Sequence, residues 1–152
     1  MANAPAIPWA VLTPLRIRAY KDSGMTAPCP FCSLASDRIW LATEHALAFP
    51  DNYPISDGHT LVIPIRHIAS VFDLPEEEQS ALWALAGKVR AMLQEKLRPD
   101  GFNIGVNDGA AAGQTIGHAH IHIIPRRKGD VADPRGGVRW IIPDKAPYWE
   151  KP

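Results

Sequence analysis

The sequence predicts an α+β fold: a mostly antiparallel five-stranded sheet with one long helix. Three observations carry this expectation. Five short runs are rich in β-branched and apolar residues and are separated by Pro, Gly or Asp-Gly punctuation. One longer stretch, about 75–97, repeats its apolar residues at spacings of three and four. That stretch lies between the third and fourth runs, so strands joined by short turns are crossed once by a helix.

The elements follow in chain order. Residues 1–28 hold four prolines and little periodicity, and read as an irregular arm. Arg38–Phe49 is mostly apolar with a break at Thr43–His45, which gives strands at about 38–43 and 46–50. Pro50, Pro54 and Gly58 mark a loop. His59–Ile65 is a third strand, ended by Pro64 or left by it at an edge. Pro75 suits a first helical turn, where its missing N–H costs nothing. Glu76, Glu77 and Glu78 follow at the positive end of the helix dipole. Leu82, Leu85, Val89, Leu93 and Leu97 form the apolar stripe, and Arg98-Pro99-Asp100-Gly101 stops the helix. Phe102–Asn107 is a fourth strand, Asp108–Thr115 a glycine-containing loop, and His118–Ile124 a fifth strand ended by Pro125. The tail from Arg126 reads as ordered loop.

Composition narrows the function classes. The chain has 152 residues, of which 46% are apolar and 21% charged, as expected for one globular domain over 1–152. Sixteen basic and sixteen acidic residues balance, which argues against nucleic-acid or membrane binding driven by bulk charge. No apolar run approaches the ~20 residues of a spanning helix. The N-terminus has no charged start followed by an apolar core, so no signal peptide is expected, and the expected location is cytoplasmic.

The chemistry concentrates at His118, His120 and His122. On a strand, alternate side chains share a face, so the three imidazoles are expected roughly 6.6 Å apart while Ala119, Ile121 and Ile123 face the core. A row of surface histidines and a three-histidine metal site are the competing readings. Neighbours on one strand face spread too widely to reach one tetrahedral ion easily. A nucleophilic role suits the pattern better, because neutral imidazole attacks phosphorus near pH 7. Such a site needs donors around the phosphate oxygens. Gly109 and Gly113 permit close backbone approach, and Asn107 and Thr115 add side-chain donors just before the histidine row. Cys29 and Cys32 are the only cysteines; their C-x2-C spacing reads as a metal half-site or a redox pair.

The segment GQTIGHAHIHIIPR resembles the signature of the histidine triad family, and FPDNYPISDGHTLVIPIRH resembles its upstream segment. The similarity runs from about Cys29 to Asp130 with the parts in the same order. Gly-Gln-Thr and Pro-Arg-x-x-Gly-Asp look like the fragile-histidine-triad branch, which hydrolyses dinucleoside polyphosphates. Cys-Pro-Phe-Cys and Gly-His-Thr-Leu-Val-Ile-Pro look like the nucleotide-binding branch, which hydrolyses nucleoside phosphoramidates. The resemblance implies a HIT-like fold with a short N-terminal helix, and a nucleotide hydrolase acting at the α-phosphate through a nucleotidyl-histidine.

By position, the resemblance makes His120 the nucleophile, and His122 and His59 the groups that surround the phosphate and orient it. Asn107, Gly113 and Thr115 match the phosphate contacts, Asp51 the ribose-binding acid, and Pro30, Phe31 and Leu61 the apolar wall for the base. In zinc-bearing relatives two histidines complete a C-x2-C site; they match His67 and His118, so the implied cofactor is a structural zinc on Cys29, Cys32, His67 and His118, with no organic cofactor. The implied partners are an adenosine nucleotide and a second copy of the chain, paired through the helix near Trp83 and a neighbouring edge. Arg126-Arg127-Lys128 reads either as a site for extra phosphates or as a solvated charge cluster.

Overall fold

A computed structural model describes residues 29–150. Its strands are β1 (Leu41–Ala42), β2 (Ala46–Pro50), β3 (Thr60–Pro64), β4 (Gly101–Val106) and β5 (Ile121–Arg126), and its helix is α1 (Glu76–Leu97). The sheet order is β1-β2-β3-β5-β4, and every neighbouring pair runs antiparallel. The expected arm 1–28 lies outside the described residues, as do 151–152. Of the expected short N-terminal helix, the described residues hold one 3-10 turn, Ser36–Arg38.

Alternation along the strands builds two apolar layers. Ala46, Ala48, Val62, Ile121 and Ile123 face α1 and meet Leu82, Leu85, Ala86, Val89 and Leu93. Leu47, Phe49, Leu61 and Ile63 point to the other face, where Cys29, Phe31 and Leu34 cover them. The helix therefore shields one face of the sheet, and the segment 29–34 shields part of the other. His122 pairs with Leu61 across β3–β5 and so belongs to the face away from the helix.

Several boundaries differ from expectation. The strand expected at 38–43 is only Leu41–Ala42, because Ser36–Arg38 turns and the hairpin closes at once through Thr43 N–H to Ala46 O (2.8 Å). The strand expected at 102–107 occupies Gly101–Val106. The strand expected at His118–Ile124 begins only at Ile121 and runs through Pro125 to Arg126. β3 pairs with β5 no further than Ile123, so Pro125 lies where β5 has a neighbour on one side only, and there a missing N–H is tolerated. The tail is not plain loop: 3-10 turns form at Gly137–Ile141, Pro143–Lys145 and Tyr148–Glu150.

The helix end explains the basic run. Arg98 takes a left-handed conformation (φ 46°) to stop α1, leaving carbonyls without helical partners. The Arg127 guanidinium donates to Leu97 O (2.6 Å) and Arg98 O (3.3 Å). Arg126 donates to both Asp130 carboxylate oxygens (2.6 and 2.8 Å) and to Asn103 Oδ1 (2.5 Å). Both arginines thus hold the fold together. Of the three residues, Arg127 caps α1 and Arg126 pairs with Asp130 and Asn103.

Gly58 closes the loop from β2 to β3 with φ +84°, and a Cβ there would sit 2.5 Å from Leu97 Cδ1 and 3.1 Å from Leu93 Cδ2. Gly58→Ala is expected to destabilise the protein by about 1–3 kcal/mol through left-handed strain and overpacking. Thermal unfolding checks this, and an unchanged midpoint would show that the turn relaxes freely.

Candidate active site

The site is built on the sheet face opposite α1. His59 precedes β3 and is positioned by a closed loop: its N–H donates to Ser56 O (3.1 Å), and its carbonyl accepts from Asp51 N–H (3.0 Å). Ile55 N–H donates to His59 Nδ1 (3.3 Å), which leaves the imidazole proton on Nε2. Nε2 lies 3.0 Å from His122 Nδ1 and 3.5 Å from Asp51 Oδ2. His59 Nε2–H donates to His122 Nδ1, so His122 carries its own proton on Nε2.

His120 stands next in the row, its ring 4.9 Å from that of His122. Its Nδ1–H donates to the carbonyl of His118 (2.8 Å), which leaves Nε2 as the lone pair. Phe31 packs edge-on against the His120 ring at 5.3 Å and buries it to 8% exposure. The expected regular spacing of three imidazoles on one strand does not hold, because His118 and His120 precede β5 and adopt no strand pairing. The segment is tied instead by Ala119 N–H to Ile68 O (2.7 Å).

His118 turns away from the other two and is fully buried. Its Nε2–H donates to Pro64 O (2.9 Å), so its Nδ1 lone pair points at the cysteines. His118 Nδ1 is 3.6 Å from Cys29 Sγ and 3.5 Å from Cys32 Sγ, and His67 Nδ1 is 3.2 Å from Cys32 Sγ. A tetrahedral ion with metal–S of about 2.3 Å and metal–N of about 2.0–2.1 Å keeps its N and S donors about 3.5 Å apart. The four residues fit a metal centre on this geometry, and the carbonyl behind His118 fixes its ligating tautomer. In the absence of metal, burial and the neighbouring Cys29 push the Cys32 thiol up to about 11. A bound cation reverses that by stabilising the thiolate.

The remaining expected residues lie in the β2–β3 loop, in the apolar layer and in the loop after β4. Asp51 Oδ1 accepts from Tyr53 N–H (2.8 Å), while Oδ2 faces His59. Leu61 and Phe31 are buried in the apolar layer beneath the row, and Pro30 is exposed. Asn107, Gly113 and Thr115 lie on the exposed loop after β4. Asn107 Nδ2 is 4.0 Å from where a Gly113 Cβ would be, so the two are adjacent. The loop makes a 3-10 turn, Ala110–Ala112, that engages Gly113 N–H with Ala110 O (3.0 Å).

Sequence reasoning passed over Gln114. Its Oε1 accepts from Gly109 N–H (2.8 Å), and its Nε2 donates to Ala69 O (2.8 Å) and Ile116 O (3.1 Å). It clamps the glycine loop to the segment that carries His67. The available signal was a single long amide within a run of Gly and Ala.

A HIT domain model matches residues 35–129. The chain belongs to the histidine triad family. A bis(5'-adenosyl)-triphosphatase from Dictyostelium discoideum is 39% identical over 97 residues, 64% of this chain and 65% of that protein. The nitrilase and fragile histidine triad fusion protein NitFhit of Caenorhabditis elegans is 39% identical over 115 residues; the match covers 76% of this chain but only 26% of the fusion protein. A Zn-bound histidine triad family protein from Mycobacterium smegmatis superposes with a TM-score of 0.63 at 37% identity, covering 70% of this chain and 80% of that one. The fold is thus the HIT fold. Among the described residues no helix is long and apolar enough to cross a membrane.

Burial, with the charges of His120 and His59, lowers the His122 pKa to about 4, and burial lowers that of His59 despite the opposing Asp51 charge. The unfolded chain takes up protons below pH 6.5, the ordinary histidine value, while folded His122 does so only near pH 4. Stability present above pH 6.5 is therefore expected to fall as pH drops towards 4. Unfolding midpoints measured from pH 8 to 4.5 check this, with a shallower slope expected for His122→Asn. Identical slopes in both proteins would rule out His122 as a source.

Proposed function

We propose that this HIT protein is a nucleotide hydrolase that acts at the α-phosphate through a nucleotidyl-histidine on His120 and releases a nucleoside monophosphate. The observation that carries the proposal is the bond from His120 Nδ1–H to the His118 carbonyl at 2.8 Å. It holds the imidazole in the tautomer whose Nε2 lone pair can attack. His120 Nε2 forms the N–P bond as the bridging P–O bond breaks, and the leaving group departs with the bonding electron pair. Water then attacks phosphorus as the N–P bond breaks, Nε2 regains its lone pair, and the proton that the water loses passes to solvent.

His122, with Nε2–H as donor and Nδ1 held by His59, supplies a donor to the phosphate oxygens where charge develops. Asn107 and Thr115 add side-chain donors from the loop, and Gly113 keeps that wall free of a side chain. Asp51 accepts the ribose hydroxyls, and Pro30, Phe31 and Leu61 flank the base. The preferred substrate class is a dinucleoside polyphosphate of the diadenosine type, supported by the likeness to the Dictyostelium enzyme. A phosphoramidate-cleaving enzyme and a non-catalytic nucleotide binder are the alternatives.

Cys29, Cys32, His67 and His118 would hold a structural zinc, which supplies cross-linking and charge neutralisation of the thiolates when bound. This chain's own contribution is to anchor the His118 carbonyl. Two copies would pair through the exposed Trp83 side of α1 and the edge strand β4, where Ile104 is exposed.

A substrate panel with release of AMP decides among these readings. Diadenosine polyphosphates are expected to turn over faster than adenosine phosphoramidates. His120→Ala is expected to lose at least ~10³-fold in kcat with little change in AMP binding. Rapid quenching with labelled substrate is expected to trap an acid-labile, base-stable nucleotide adduct. Near-normal turnover by His120→Ala would end the covalent-histidine reading.

The metal is tested separately. Protein purified without chelator is expected to carry about one zinc per chain, and Cys32→Ser to lose it. Metal-free wild-type protein of unchanged thermal stability would reject the structural zinc.

A further inference from the structure

The row of histidines has a second cluster of ligating atoms at its outer end. His59 Nε2, His122 Nδ1 and one Asp51 carboxylate oxygen lie within 4.8 Å of one another. His59 Nε2 is 3.0 Å from His122 Nδ1 and 3.5 Å from Asp51 Oδ2. A tetrahedral ion with metal–N of about 2.0–2.1 Å and metal–O of about 2.0–2.2 Å separates such donors by roughly 3.3–3.5 Å. The two separations from His59 Nε2 already stand close to that spacing, and the third donor pair lies within 4.8 Å.

We propose that Asp51, His59 and His122 form a second metal site, for a divalent cation of the zinc class, and that its occupancy excludes the nucleotide. The exclusion rests on the reading above, in which Asp51 receives the ribose and His122 the phosphate. Two imidazoles and one carboxylate favour zinc-class ions over Mg2+ or Ca2+, which take oxygen donors. Three protein ligands leave a fourth position open to water. The same lone pair on His122 Nδ1 that now accepts from His59 would go to the ion.

This site binds more weakly than the cysteine site, for two reasons in the chain itself. It offers no thiolate. Ligation through His59 Nε2 also moves the imidazole proton to Nδ1, which faces Ile55 N–H at 3.3 Å and gives up that bond. The ion therefore loosens the link between His59 and the 51–58 loop as it binds. The cation thus acts as a competitive inhibitor of the enzyme at concentrations above those that fill the structural site.

Calorimetric titration of Zn2+ at pH 7 into protein whose Cys29–Cys32–His67–His118 site is already saturated tests the inference. One further, weaker equivalent per chain is expected. Asp51→Asn and His122→Asn are each expected to weaken it about tenfold or more while the first equivalent stays. Saturating AMP is expected to abolish it. No second equivalent in wild-type protein overturns the site, and so does a second equivalent that both variants retain at full affinity. A second equivalent that is lost in the variants but insensitive to bound AMP leaves the metal site standing. It overturns the exclusion and, with it, the placing of ribose and phosphate on these residues.

Discussion

One residue ties the chemistry to the scaffold. The His118 carbonyl accepts the Nδ1–H of His120 at 2.8 Å, while the His118 ring is committed in the opposite direction. Its Nε2–H is anchored to Pro64 at the end of β3, and its Nδ1 faces the two cysteine sulfurs. A side chain held on both nitrogens leaves its own backbone little freedom, so the acceptor for His120 is held in place. The ties matter because the 118–120 segment has no ladder of its own: β5 begins at Ile121. The bond from Ala119 to Ile68 and the His67–Cys32 contact supply what strand pairing does not.

The sheet explains how a row of titratable groups coexists with a tight core. Ile121 and Ile123 fill the layer under α1, and the residues between them point away from it. A polar side chain can occupy every second position without entering that layer. The face away from α1 is apolar as well, through Leu61, Ile63 and Phe49, and the His pair rests on this floor. Burial there keeps His122 and His59 neutral at physiological pH, which preserves lone pairs and N–H donors together.

The three histidines of the row consequently have different environments. His118 faces sulfur, His120 faces its neighbour's carbonyl and the Phe31 edge, and His122 faces His59 and Asp51. The row lies between two groups of metal-ligating atoms, one with thiols and one without. Only His120 belongs to neither. The two groups differ in donor softness and in the tautomer of the histidines they contain.

Local chemistry made much of this legible beforehand. The 3–4 spacing of Leu82, Leu85, Val89 and Leu93 determined the helix and its buried face, because periodicity is a property of the chain alone. The motif singled out His118, His120 and His122, and the resemblance, rather than the spacing, pointed to His59, to His67 and to a metal-ligating role for His118. Strand limits were less legible: Pro125 reads locally as a stop, yet it is carried inside β5 because β3 has already ended beside it. Gln114, Ile55 and the Arg127 cap escaped notice because their partners lie distant or unremarked in the chain, as Ala69 does for Gln114 and Leu97 for Arg127. The sequence by itself determined which residue types stand at which spacing. Tertiary structure alone decided which nitrogen carries the proton in His118 and His122, because their partners, Pro64 and His59, come from a distant part of the chain; for His120 and His59 the partner is local, the His118 carbonyl and the Ile55 amide, and the fold only holds it in place.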